Sequence, residues 1–291
     1  MKVTQADKLQ QLVKETTTQT KNNRFTKFIA ITSGKGGVGK STISANLAYA
    51  LHELGFKVGL FDADIGLANL DVLLKVNAKK NILHVLKGEV EFKDIIVEIE
   101  KGFYLIPGDS GDEILKYSDE FMFDRFLDGL DSLNDLDFLV IDTGAGIGKE
   151  VQTFLNAVDE VLVVTAPEPA SITDAYAMIK VLSENRDRIF LLLNQVDNQK
   201  EANGIYQKIA NVAKANIQKD IKLQMIGFLK KDKDIQKATI KRYLFTKENP
   251  LSTPSEQIFT IAKKVAQILE RKVLIEEETG LSRFFKKILR F

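Results

Sequence analysis

The run Gly34-Lys35-Gly36-Gly37-Val38-Gly39-Lys40-Ser41-Thr42 sets two lysines and two hydroxyl side chains among glycines. It satisfies the phosphate-binding pattern G-x-x-x-x-G-K-[ST] at every fixed position. Glycines let the backbone close around phosphate oxygens where side chains would obstruct. A helix starting at the end of such a loop turns unpaired N–H groups and its positive end toward the anion. Lys40 is then placed for the β- and γ-phosphates, and the Ser41 hydroxyl for Mg²⁺. Lys35 is a second cation in the same loop, one the pattern does not require.

Carboxylates suited to complete such a site stand at the ends of apolar runs. Val58-Gly59-Leu60-Phe61 leads into Asp62-Ala63-Asp64, and Phe138-Leu139-Val140-Ile141 leads into Asp142-Thr143-Gly144-Ala145-Gly146. Ligands of open α/β sheets lie beyond the carboxyl ends of strands, so Asp62 and Asp64 are placed for metal or water. Four apolar residues followed by Asp142 match the strand that delivers one carboxylate to the Mg²⁺ shell, through water. A third apolar run, Phe190-Leu191-Leu192-Leu193, ends in Asn194.

The elements that must hold these residues can be read from periodicity. Lys27-Phe28-Ile29-Ala30-Ile31-Thr32 reads as a buried parallel strand ahead of the loop. Behind the loop, Ile43, Leu47, Ala50, Leu51 and Leu54 recur at helical spacing, and Gly55 ends the helix. Gly102–Gly108 reads as a further strand, Ser171–Leu182 as a helix with Ile172, Ala175, Ile179 and Leu182 on one side, and Pro254–Arg271 as the last core helix. Strands and helices alternate from about Lys27 to Arg271. This predicts an α/β fold: one doubly wound, mostly parallel sheet with helices on both faces, in a single domain spanning 25–272.

The loop resembles the deviant Walker A loop of the MinD/ParA ATPases. In that family the extra lysine acts across a dimer interface, which implies for Lys35 a role on the partner's nucleotide. The resemblance implies ATP/ADP with Mg²⁺, an ATP-bound homodimer and slow turnover. Residues 62–71 resemble switch I of the MinD branch, so Asp64 would orient the attacking water and Asp62 would support metal and loop. Residues 142–147 resemble switch II. Asn194 falls where the family's asparagine contacts the base. The family's later Pro-x-Asp run is replaced by Lys230-Lys231-Asp232, without the proline.

Composition is that of an ordinary globular chain: 291 residues, 44% apolar, 28% charged, net charge +1. No global field argues for nucleic acid. With no cysteine, the cysteine-ligated iron–sulfur relatives of this fold are excluded, and the chain suits a reducing compartment. Two histidines argue against a zinc site. No signal-peptide pattern or spanning run of about 20 apolar residues is present.

The closing segment, 273–291, reads as a solvated hinge followed by an amphipathic helix. Leu281, Phe284, Phe285, Ile288, Leu289 and Phe291 share an arc of about 160°, while Ser282 and the cations Arg283, Lys286, Lys287 and Arg290 fill the opposite side. An apolar stripe facing a wholly basic one suits an anionic membrane surface. A helix this short is marginal alone in water. Two tails joined in a dimer would bind far better through effective concentration, so the expected location is cytoplasmic, reversibly on the inner face of the membrane and at a cell pole.

Residues 1–24 form an extension ahead of the first strand. Gln5, Ala6 and Leu9 resemble the Asp-Gln-Ala-x-x-Leu-Arg motif of the flagellar-number ATPases FlhG, FleN and YlxH, although Thr4 and Gln10 replace the acid and the arginine. In that branch the motif binds and stimulates the flagellar GTPase FlhF. The branch implies control of flagellar number or placement, with flagellar switch-complex proteins or a transcriptional regulator as further partners. Two alternatives stay open: a MinD-type division-site ATPase, and a ParA-like DNA-segregation ATPase using Lys230, Lys231, Lys233, Lys237, Lys241 and Arg242.

Overall fold

The computed structural model describes residues 26–64, 68–108 and 135–270. Its centre is β1 (Lys27–Ser33). Phe28 and Ala30 enter one hydrophobic core and Ile29 and Ile31 the other. Burial on both faces is why this strand reads as an unbroken apolar run rather than an alternation. β2 (Val58–Ala63), β5 (Phe138–Ala145), β6 (Glu160–Thr165) and β7 (Arg188–Val196) follow the same rule. β4 (Phe103–Ile106) and β8 (Lys222–Lys230) complete the parallel set.

The eight strands run in the order β3-β4-β2-β5-β1-β6-β7-β8. Only β3 (Val97–Glu100) is antiparallel, paired with β4 at the sheet edge, where a polar strand costs least. The chain leaves β1 toward β2 on one side, then returns to lay β5 and β6 against β1's two edges. The carboxyl ends of β1, β2 and β5 therefore open on one crevice at the reversal of strand order, where such sheets take their ligands.

One face of the sheet is covered by α1 (Lys40–Glu53), α2 (Leu70–Leu74), α7 (Lys233–Lys241), α8 (Phe245–Glu248) and α9 (Thr253–Glu270). The other is covered by α3 (Ile82–Leu86), α4 (Lys149–Ala157), α5 (Pro169–Ser183) and α6 (Gln199–Asn216). Ile43, Leu47, Ala50 and Leu51 of α1 are buried as their spacing requires, and Gly55 follows with φ 93°. Asn46 ties α1 to α8, its Oδ1 accepting from the Thr246 N–H at 3.0 Å. α5 begins two residues before its sequence-predicted start, because Pro169 suits a first helical turn that lacks an N–H partner anyway. No helix among the described residues is long and apolar enough to cross a membrane.

Candidate functional site

The glycine loop joins β1 to α1 and is shaped from both sides. Gly37 and Gly39 take φ of 81° and 92°, values that a side chain disfavours. A Cβ on Gly34 would come within 2.3 Å of the Asp174 carbonyl, so α5 backs directly onto the loop. At Gly36 and Gly37 a Cβ would meet nothing within 4 Å, so the side of the loop facing the crevice is open. There a cavity of ≈ 870 Å³ is lined by the loop together with Asp64, Asn69, Thr239 and Arg242. A second cavity of ≈ 390 Å³ shares Gly37, Gly39 and Thr42 with it and runs past Asn194, Leu229 and Ile235. Phosphates in the first and a base in the second would suit this pair of spaces.

Lys40 is buried at the floor. Its Nζ donates to Asp142 Oδ1 at 2.9 Å and lies 3.5 Å from Asp64 Oδ2. Ser44, one turn along α1 from Lys40, donates to the same Asp142 oxygen at 2.8 Å. The other oxygen, Asp142 Oδ2, is buried and has no hydrogen-bond partner among the described residues. An orphaned carboxylate oxygen is costly unless a ligand completes it. With the Ser41 hydroxyl 3.5 Å from the same Lys40 Nζ, it is the kind of hard oxygen donor that Mg²⁺ and its waters accept, so these residues fit that ion.

The two aspartates after β2 differ. Asp62 accepts from the backbone N–H groups of Asp64 at 3.2 Å, Asn69 at 2.8 Å and Leu70 at 2.9 Å, so it ties together the two ends of the loop that leaves β2. Burial pushes its carboxyl up to about 6, against the opposing pull of those N–H groups. Asp64 instead lines the cavity. Burial raises its pKa too, with Lys40 acting in the other direction. Gly144 stands behind it: a Cβ there would lie 3.3 Å from Asp64 Oδ1.

Lys35 stands at the rim, its Nζ 2.8 Å from Glu168 Oε2 at the N-terminus of α5. The hydrogen bond to Glu168 raises the lysine's pKa and lowers the glutamate's. Both side chains are well exposed, so the pair can open at little cost.

Asn194 does not present a free carboxamide to the second cavity. Its Nδ2 donates to the Val38 carbonyl of the glycine loop at 2.7 Å, and its Oδ1 accepts from the Gln195 N–H at 2.9 Å. Gln195 takes φ 60° where the β7–β8 register shifts, and this bulge accompanies the turn of Asn194 toward the loop.

The structure thus brings Lys40, Ser41, Thr42 and Asp64 to one cavity, keeps Asp142 and Asp62 buried outside its lining, pairs Lys35 with Glu168, and sets Asn194 in the wall of the second cavity. Gln5, Ala6, Leu9 and the segment 281–291 lie outside the described residues. Sequence reasoning missed Ser44, Glu168 and Thr239. Ser44 could have been found from its four-residue spacing from Lys40 on a helix, whereas Glu168 and Thr239 carry no local signal.

A family model described as ParA, the NUBPL iron-transfer P-loop NTPases, matches residues 24–266. The flagellum site-determining protein YlxH of Helicobacter pylori is 50% identical over 271 residues, covering 93% of this chain and 92% of that protein. The antiactivator FleN of Pseudomonas aeruginosa is 38% identical over 242 residues, covering 81% of this chain and 85% of that one. Among solved structures, MinD of Pyrococcus horikoshii in complex with Mg-ADP superposes with a TM-score of 0.67 at 26% identity, covering 86% of this chain and 100% of that one. The match of the family model across most of the chain, together with the glycine loop and its sheet, establishes that this chain belongs to the ParA family of P-loop NTPases.

Proposed function

We propose that the chain is a Mg²⁺- and ATP-dependent, dimerising ATPase switch that acts at the cytoplasmic membrane in setting flagellar number or placement. The observation that carries the catalytic part is the convergence of Lys40 and Asp64 on one cavity, with the buried Asp142 holding Lys40 from behind and leaving its Oδ2 unpartnered among the described residues. On nucleotide binding, Lys40 exchanges Asp142 for the β- and γ-phosphates. Ser41 and Asp142 would hold Mg²⁺, which when bound would supply positive charge against that building on the phosphate oxygens. Asp64 orients the water that attacks the γ-phosphorus, releasing ADP and phosphate. Its raised pKa suits it to accept the water's proton better than an exposed aspartate would. The adenine occupies the second cavity beside Asn194.

Lys35 is the residue that links chemistry to assembly. In the isolated chain it rests on Glu168. In a face-to-face dimer it releases that partner and stabilises phosphate charge in the other subunit. The amphipathic segment 281–291 then docks in pairs, so ATP state becomes membrane residence. Likeness to YlxH along nearly the whole chain supports the flagellar reading over the division-site one. The resemblance of Gln5, Ala6 and Leu9 to the flagellar-branch motif supports a further role for residues 1–24 in engaging the GTPase FlhF.

The test is steady-state ATP turnover across a range of protein concentrations, with and without anionic vesicles. The rate per chain should rise with concentration and rise again with vesicles, and both gains should vanish in Lys35→Ala. A rate per chain that is flat with concentration, and the same in Lys35→Ala, would sink the dimer mechanism. For the flagellar part, FlhF GTP turnover should rise with the full chain but not with a chain lacking residues 1–23. No stimulation by either would remove it.

A further inference from the structure

Two cationic side chains line the phosphate cavity among the described residues, Lys40 and Arg242. Lys40 comes from the start of α1, Arg242 from the end of α7. Lys40 is already neutralised by Asp142 and Asp64. The rim lysine Lys35 is likewise engaged, with Glu168. Arg242, exposed at the end of α7, makes no ion pair or hydrogen bond through its guanidinium among the described residues.

Its backbone is the second observation. α7 ends in a Schellman arrangement: the Arg242 N–H bonds the Thr239 carbonyl at 3.3 Å, and the Tyr243 N–H bonds the Ala238 carbonyl at 3.1 Å. The residue at the turn of that motif is left-handed, and Arg242 has φ 57° and ψ 64°. Glycine is the usual occupant, because a Cβ is strained there. A basic residue near a helix C-terminus is ordinary by charge, but Lys241 already fills that role. The left-handed turn sets a long fork-shaped cation beside the phosphate space, three residues beyond Thr239, which lines both cavities. Strain of this kind persists where something else favours the residue.

We infer that Arg242 is a phosphate-binding residue of the nucleotide site, supplied to the polyphosphate from the end of α7. The inference rests on the proposed reading of the cavity as a nucleoside polyphosphate site. A guanidinium matches two phosphate oxygens at once, which a lysine cannot do. The position also couples the nucleotide to α7, the helix whose Thr239 and Ile235 border the second cavity. Bound phosphate would then fix the wall of the base pocket.

The experiment is calorimetric titration of the full chain with Mg·ATP and Mg·ADP, alongside thermal melts without nucleotide. Arg242→Ala and Arg242→Gly should each weaken both nucleotides about 10-fold, and Arg242→Lys should recover part of the loss. Arg242→Gly should at the same time raise Tm by about 2 °C by relieving the left-handed strain. Affinity falling while stability rises is a split that a merely structural arginine would not give. Affinities within about twofold of wild type in the Ala and Gly variants overturn the inference, as does an affinity loss that follows a lower Tm in every variant. A wild-type chain that binds neither nucleotide overturns the underlying reading of the cavity instead.

Discussion

The phosphate end and the base end of the crevice are built on different principles. At the phosphate end, side chains with no substitute converge: a buried lysine, two buried or half-buried carboxylates and glycines at positive φ. At the base end, a wide apolar-walled space is bounded by β7, β8 and α7, and its one buried polar residue, Asn194, is spent on holding the glycine loop. The phosphate end is specified by charge and backbone shape, the base end by how helices and strand ends pack. Mutations should therefore act steeply at the first and gradually at the second.

The largest effect should come from Asp64. Asp64→Ala should lower turnover by about 10²–10³-fold while leaving the Kd for Mg·ATP within a few-fold, because the residue acts on water rather than on the ground-state nucleotide. Equal losses in turnover and affinity would move Asp64 from chemistry to binding. Next is Lys40→Ala, which removes charge-assisted contacts to phosphate and should weaken ATP, ADP and pyrophosphate alike by about 10². Competition binding with pyrophosphate reads this directly, and an ATP-only effect would break the division between the two ends.

A smaller effect is set by Asp62. Its folded pKa of about 6 lies above the ordinary value of 3.8, so the native state keeps a proton that the unfolded chain has already lost. The contribution of Asp62 to stability should therefore be greatest below about pH 4, fall as pH rises to about 6, and stay level above that, by at most about 3 kcal/mol. Urea melts of wild type and Asp62→Asn at pH 4.5 and 7 measure it. The difference between the two pH values should shrink in the variant, and an unchanged difference would place the titration elsewhere.

The mildest prediction tests the base end itself. Asn194→Ala should weaken ATP about 10-fold by releasing the Val38 carbonyl. Pyrophosphate should weaken by a similar factor, since the bond supports the loop. A loss confined to ATP would show that Asn194 reads the base after all.

The same contrast decides what could be read from the sequence. The glycine loop, Lys40, Ser41 and Asp142 were legible because phosphate chemistry tolerates few residue types at fixed spacing. The buried strands were legible because burial on both faces leaves unbroken apolar runs such as Phe28–Ile31. β3 escaped because its four residues, Val97–Glu100, are half polar and pair antiparallel at an edge. Glu168 and Thr239 reach the site from far along the chain, through packing of α5 and α7 that leaves no local pattern. The bond from Asn194 to Val38 accompanies one residue at φ 60°, Gln195, which no spacing rule foresees.

That short tie from Asn194 to Val38 has a kinetic side. A glycine-rich loop in free solution samples many shapes, and a ligand that had to select one would bind against a large entropy loss. Here one carboxamide, clamped by its own neighbour's N–H, holds the loop to β7 with no ligand required. The incoming phosphate meets a receptor already in shape. In the proposed switch, the rearrangement that follows binding would fall to the carboxylate segments rather than to the loop.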